Sequence, residues 1–268
     1  MRTIRDRLWL FGMPIEHARR RRKWLPDGHL MTTFEAAAYL RIPNALWVVQ
    51  KNFPEPPFDT YIRPLTPLSR VVLSALGDSS SDRSDLDEVL RMAEMFPNIT
   101  GAILDDFFRK PSQDGPVGRF TLEELDRFRE RLHRGVRKLD LWVVIYGHQL
   151  DLPAEDYLAR CDVVTFWNWW GRDISKLDDQ FDRLQQVAPD TPKMLGCYFM
   201  DPGDMEDGGD GKLSLDLMKR QCETGLKWLE EGRIEGIILL GNPVCGFGGD
   251  TVEWTREWIA EVGERPFY

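Results

Sequence analysis

Cysteine is scarce and scattered in this chain of 268 residues: Cys161, Cys197, Cys222 and Cys245 stand far apart, with no CxxC or Cys/His spacing. Neither a zinc site nor a disulfide framework is signalled, and the four read as thiols of a reducing, cytoplasmic compartment. Histidine is as rare, with 4 in the chain and no HxH pair, so the imidazole set of a zinc amidohydrolase is missing. Basic charge is in deficit: 35 Lys and Arg against 44 Asp and Glu leave a formal charge of -9. Such a surface repels phosphate backbones and anionic lipid, so neither nucleic acid nor membrane is expected as a partner. Long apolar runs are absent as well. Arg2, Arg5 and Arg7 precede only the short run Leu8 to Met13, too brief to span a bilayer and without a small-residue cleavage site. No GxGxxG or GxxxxGK[ST] motif follows the first strand, so no nucleotide cofactor is expected.

What the chain does have is a repeated alternation. Apolar, β-branched or aromatic runs recur at Leu8 to Met13, Leu46 to Lys51, Arg70 to Ala75, Thr100 to Asp105, Leu141 to Tyr146, Val163 to Trp167, Met194 to Phe199 and Gly236 to Gly241. Amphipathic stretches lie between them, at Thr33 to Leu40, Ser84 to Phe96, Thr121 to Leu139, Pro153 to Arg160, Ile174 to Ala188, Leu213 to Glu231 and Thr251 to Val262. Thr121 and Glu124 make a capping box, and Gly232 is placed to end the Leu213 helix. Near-continuous apolar strands need cover on both faces, as parallel sheets do. The expectation is a single (β/α)8 barrel over residues 1–268, with an open doubly wound sheet as the alternative. Five prolines between Asn52 and Ser69 predict a long ordered loop after the second strand. The basic run Arg19 to Lys23 reads as a solvated face or loop.

In a parallel barrel, function gathers at the C-terminal ends of the strands. Glu16 and His17 follow strand one, Gln50 and Lys51 strand two, Asp105 and Asp106 strand four, and Tyr146 and His148 strand five. Trp167, Asn168, Trp169 and Trp170 follow strand six, Tyr198 and Asp201 strand seven, and Asn242 strand eight. No comparable polar set is expected at the N-terminal ends. Two carboxylates directly after a buried strand are costly unless they are hydrogen-bonded or solvated in a cleft. Strand alternation lets only one of them face the axis, and Asp105 shares parity with Gly101 and Ile103. The structural alternative is that one Asp caps the loop while the other pairs with an arginine.

The segment Gly101-Ala-Ile-Leu-Asp105-Asp106-Phe107 resembles the strand-four motif of barrel glycoside hydrolases of the α-galactosidase-like and α-amylase-like groups. With the GRIEGIILLGN and EWTREWI stretches, the chain also looks like uncharacterised bacterial glycoside-hydrolase-like barrels. The resemblance covers about seven residues of the motif and implies a carbohydrate substrate, with Asp105 as nucleophile or base. Sugar rings pack their C–H faces on indoles while their hydroxyls need polar neighbours, a chemistry that suits Trp167, Asn168 and Trp169. Tyr146, His148, Lys51, Tyr198 and Asn242 complete the candidate substrate-binding set. Glycoside hydrolysis normally uses two carboxyl groups across the scissile bond. Asp201 is the first candidate partner, before a Gly/Asp-rich loop expected to act as a lid; Glu16 is second and Asp173 third. The alternatives are a lyase or isomerase with Asp105, Asp106 and Asp201 around Mg2+ and Lys51 or His148 as base, and a non-catalytic sugar-binding barrel.

Overall fold

A computed structural model describes residues 2–16, 29–78, 84–109 and 117–267. His17 and the basic run Arg19 to Lys23 lie outside these residues. The eight strands pair in parallel and close in sequence order, β1 back onto β8 through Leu8 and Ile237, so the fold is a (β/α)8 barrel and not an open sheet. The elements run β1 (Leu8–Gly12), α1 (Thr33–Leu40), β2 (Asn44–Trp47), α2 (Asp59–Ile62), β3 (Arg70–Leu76), α3 (Leu86–Met95), β4 (Ile99–Leu104), α4 (Leu122–His133) and β5 (Asp140–Tyr146). They continue α5 (Glu155–Leu158), β6 (Val163–Trp167), α6 (Leu177–Val187), β7 (Lys193–Tyr198), α7 (Pro202–Glu206), α8 (Leu215–Glu230), β8 (Gly236–Leu240), α9 (Asn242–Cys245) and α10 (Asp250–Val262). Among the described residues no helix is long and apolar enough to cross a membrane.

Local chemistry explains most of the boundaries. Thr121 and Glu124 form the expected capping box at the start of α4, and Thr32 with Glu35 form another before α1. Strand β2 stops at Trp47 rather than running to Lys51. Lys51 and Asn52 take left-handed φ values of 52° and 57°, and Gln50 turns back to bridge Phe53. The proline-rich loop beyond them is ordered and includes the short helix α2 and a 3-10 turn at Arg63–Leu65.

Two apolar layers hold the barrel. The larger one lies between the strands and the surrounding helices. The smaller one fills the barrel itself and includes Trp9, Leu46, Val72, Ile103, Trp142, Trp167 and Met194. One glycine makes the inner layer fit: a Cβ on Gly196 would stand 2.0 Å from the Trp167 ring. That indole is only 1% exposed and forms the floor of the cavity above it.

The N-terminal end is more polar than expected. Arg70, Asp140 and Lys193 open β3, β5 and β7. Arg70 and Asp140 join Arg7, Arg129, Asp162 and Glu235 around a groove of about 940 Å³. Several of these charges are paired: Arg129 with Asp162 at 2.8 Å and Arg7 with Glu235 at 2.9 Å.

Candidate active site

A cavity of about 430 Å³ opens at the C-terminal end of the barrel. Tyr146, Trp167, Trp169 and Tyr198 supply its aromatic surface, and Asp78, Asp105, Asp106 and Glu206 its carboxylates. Among the described residues no Lys, Arg or His lines it.

Both members of the acidic pair reach this cavity, which strand alternation alone does not allow. β4 ends at Leu104, so the pair lies in the turn beyond it. Asp105 keeps the inward parity of Ile103, and Asp106 swings in through a left-handed φ of 42°, a conformation Asp tolerates better than most residues. Asp105 is 5% exposed, and its N–H donates to the carbonyl of Leu76 at 2.9 Å. Burial, and then the neighbouring charges of Asp106 and Asp78, push its carboxyl well above the usual range; Arg119 opposes this only in part. Arg119 is anchored behind the wall, where Nη1 donates to the carbonyls of Gly77 at 2.9 Å and Asp78 at 3.1 Å. The Asp106 carboxylate accepts the Tyr146 hydroxyl at 2.7 Å. Burial, reinforced by Tyr198 and the Asp pair, raises the Tyr146 phenol well above its ordinary value, so it stays a proton donor to Asp106.

The aromatic residues form a continuous wall. Trp167 packs against Tyr198 with ring centroids 5.1 Å apart, and its indole N–H donates to Thr165 Oγ1 at 3.0 Å. Trp169 stands half-buried above it, edge-on to Tyr146 at 5.5 Å and to Tyr198 at 6.2 Å. Its indole N–H donates to Glu206 Oε2 at 2.7 Å.

Several expected site residues do other work. Asp201 is the N-cap of α7: its two carboxylate oxygens accept Gly171 N–H at 2.9 Å and Asp204 N–H at 3.0 Å, and it does not line the cavity. The loop it begins is tied down, since Asp204 accepts Gly211 N–H at 2.9 Å and Asp207 pairs with Arg172 at 2.7 Å. Glu16 is exposed and outside the cavity lining, and Asp173 pairs with Lys176 at 2.9 Å. Asn242 is fully buried, accepting Met13 N–H at 2.8 Å and donating to Met31 O at 2.8 Å, so it clasps β8 to the segments around β1. Asn168 is buried beside Gly147 and donates to Asp173 O at 3.4 Å. The Lys51 side chain is exposed, and its backbone N–H donates to Asp78 Oδ1 at 3.0 Å. His148 stacks on the far side of Tyr146 at 5.5 Å, and Trp170 packs beside it rather than in the cavity.

Asp78 and Glu206 are the residues that sequence reasoning passed over. Asp78 stands two residues beyond β3, a strand-end position like those of the residues named from other strands. Glu206 lies within the acidic loop but gave no pattern of its own. Among the described residues no three His, Cys, Asp or Glu side chains are placed to hold a metal ion, and Asp201 is not gathered with the strand-four pair.

Fold and cavity together define a (β/α)8 barrel with an acidic, aromatic-walled pocket at its C-terminal end. The solved structures it resembles include a plant class V chitinase mutant from Cycas revoluta in complex with (GlcNAc)3, at a TM-score of 0.55 and 11% identity over 95% of this chain and 99% of that one. A glycoside hydrolase family 5 enzyme mutant from Prevotella bryantii, in complex with a xyloglucan tetradecasaccharide, gives 0.53 and 11% over 95% and 96%. Active domain 2 of a thermostable chitinase from Pyrococcus furiosus gives 0.52 and 10% over 88% and 83%. At such identities the likeness is one of fold. No protein-family model matches the chain, and no curated protein matches it.

Proposed function

We propose that this barrel is a glycoside hydrolase, working on a carbohydrate bound in the C-terminal cavity. The observation that carries the reading is the juxtaposition of an acidic pair with an aromatic wall: Tyr146 donates to Asp106 and packs against Trp169. A sugar ring laid on such a wall presents its C–H face to the indole and its anomeric carbon to the carboxylates. Within the pair, the roles divide by environment. Asp105, buried and with its carboxyl raised, keeps its proton and backs Asp106. Asp106 is the carboxylate presented to the substrate, as nucleophile or as the base that activates water. This exchanges the roles expected from the motif, which favoured Asp105.

The test is hydrolysis of a panel of 4-nitrophenyl glycosides and unmodified disaccharides. Turnover of at least one sugar by the wild-type protein, lost in Asp106→Asn, is the expected result. If the wild-type protein binds sugars but cleaves none of them, the barrel is a carbohydrate-binding protein and the hydrolase reading is wrong.

A further inference from the structure

Glycoside hydrolysis at Asp106 requires a second carboxyl group beyond the glycosidic oxygen, and with Asp201 committed to capping α7 that group must come from elsewhere. Of the carboxylates at the cavity, Asp78, Asp105 and Asp106 share one wall, close enough that both others oppose ionisation of Asp105. Glu206 comes from α7, which follows β7, and in a closed ring of eight strands β7 faces β3. It is exposed at the rim of the cavity. Its Oε2 accepts the Trp169 indole at 2.7 Å, and its other oxygen has no partner among the described residues. Trp169 therefore links the two acids: its N–H meets Glu206, and its ring meets Tyr146, whose hydroxyl holds Asp106.

We infer that Glu206 is the proton donor of the reaction, facing Asp106 across the sugar that lies on Trp169. The inference rests on the glycoside hydrolase reading above. In the step assigned to it, the bond between the anomeric carbon and the glycosidic oxygen breaks, and its electron pair stays on that oxygen. The oxygen takes the proton of the Glu206 carboxyl and leaves as an alcohol, while an oxygen of Asp106, or of a water deprotonated by it, bonds to the anomeric carbon. If Asp106 itself has bonded, water then displaces it and gives one proton back to Glu206. Otherwise Glu206 is reprotonated from solvent as Asp106 gives up the proton it took. Net, one water is consumed per bond cleaved. A donor at the rim suits a leaving group that points toward solvent.

Leaving-group dependence tests the assignment. The wild-type protein and Glu206→Gln are compared on a 2,4-dinitrophenyl glycoside, whose phenol departs without protonation, and on a disaccharide of the same sugar. The glutamine keeps an oxygen to accept the Trp169 N–H, so the wall is preserved. Expected is a loss of about 10² to 10⁴-fold in kcat/KM on the disaccharide, the scale of general acid catalysis. The dinitrophenyl substrate should lose less than about tenfold. An equal loss on both substrates, or no loss on either, overturns the role and leaves Glu206 as a support for Trp169. A wild-type protein that cleaves neither substrate while binding the sugar refutes the hydrolase reading itself, a result distinct from the failure of Glu206.

Discussion

Two aspartates, one at each end of the same barrel, meet opposite fates. Asp162, at the N-terminal end before β6, is partly buried, which alone would raise its carboxyl. Hydrogen bonds from Arg129, from the N–H of Leu141 and from His133 outweigh that burial and hold it at about 2. Asp105, at the C-terminal end, is buried beside two more acids, and its carboxyl is driven well above the ordinary range. Where charges are matched, burial builds a structural brace. Where like charges are crowded against a cavity, the protein carries an electrostatic cost, which on the glycoside hydrolase reading serves the reaction. The N-terminal groove is the larger of the two spaces, yet Arg129 and Arg7 there are already paired, with Asp162 and Glu235.

Substitutions at the two ends should therefore separate activity from stability. The largest effect is expected at Asp106→Asn, with turnover reduced by roughly 10³-fold, or about 4 kcal/mol in barrier height, and the melting temperature little changed. Asparagine tolerates the left-handed backbone at this position, so folding is spared. Steady-state kinetics and a thermal melt on the same sample check both halves.

Asp162→Asn should do the reverse, costing about 1 to 2 kcal/mol of stability by leaving the partly exposed Arg129 without its anion. Because the folded carboxyl titrates at about 2, below its unfolded value of about 4, its contribution is complete above pH 4 or so. It is lost as pH falls toward 2. Urea melts across the acid range should show wild-type stability dropping through that window and the variant's curve flatter; parallel curves would break the contrast.

Asp105→Asn is expected to stabilise the fold at neutral pH by about 1 to 3 kcal/mol, because the wild-type chain must there hold a proton on Asp105 or bury its charge beside Asp106 and Asp78, and the amide does neither. A raised carboxyl makes the folded chain bind more protons than the unfolded chain above about pH 4, so wild-type stability should fall as pH rises from there. The variant should lack that slope, and a variant no more stable than wild type at pH 7 would mean Asp105 is better compensated than its surroundings indicate. The smallest effect is expected at Trp169→Ala, about 1 kcal/mol of sugar affinity by titration calorimetry, with Trp170→Ala leaving affinity unchanged.

The barrel was legible because strand and helix alternation depends on local composition, and β6 (Val163–Trp167) coincides with the run read from sequence. Strand-end logic also brought Asp105, Asp106, Tyr146, Trp167, Trp169 and Tyr198 to one cavity. It failed where a polar side chain found a backbone partner. Asp201 and Asn242 stand at strand ends as a catalytic residue would, and only the N–H and C=O groups around them reveal a cap and a clasp. The joint entry of Asp105 and Asp106 was hidden for a related reason, because a single positive φ defeats the alternation rule. Glu206 escaped notice because its place depends on how α7 seats against Trp169, a tertiary contact between segments 37 residues apart.

On the glycoside hydrolase reading, the crowded, C-terminal end is the working end. Crystals of Asp106→Asn soaked with the sugar that the wild-type protein cleaves test it most directly. One ring should lie against Trp169, with its anomeric carbon between residue 106 and Glu206. A sugar found only in the N-terminal groove, or on the outer helices with the C-terminal cavity empty, would contradict it.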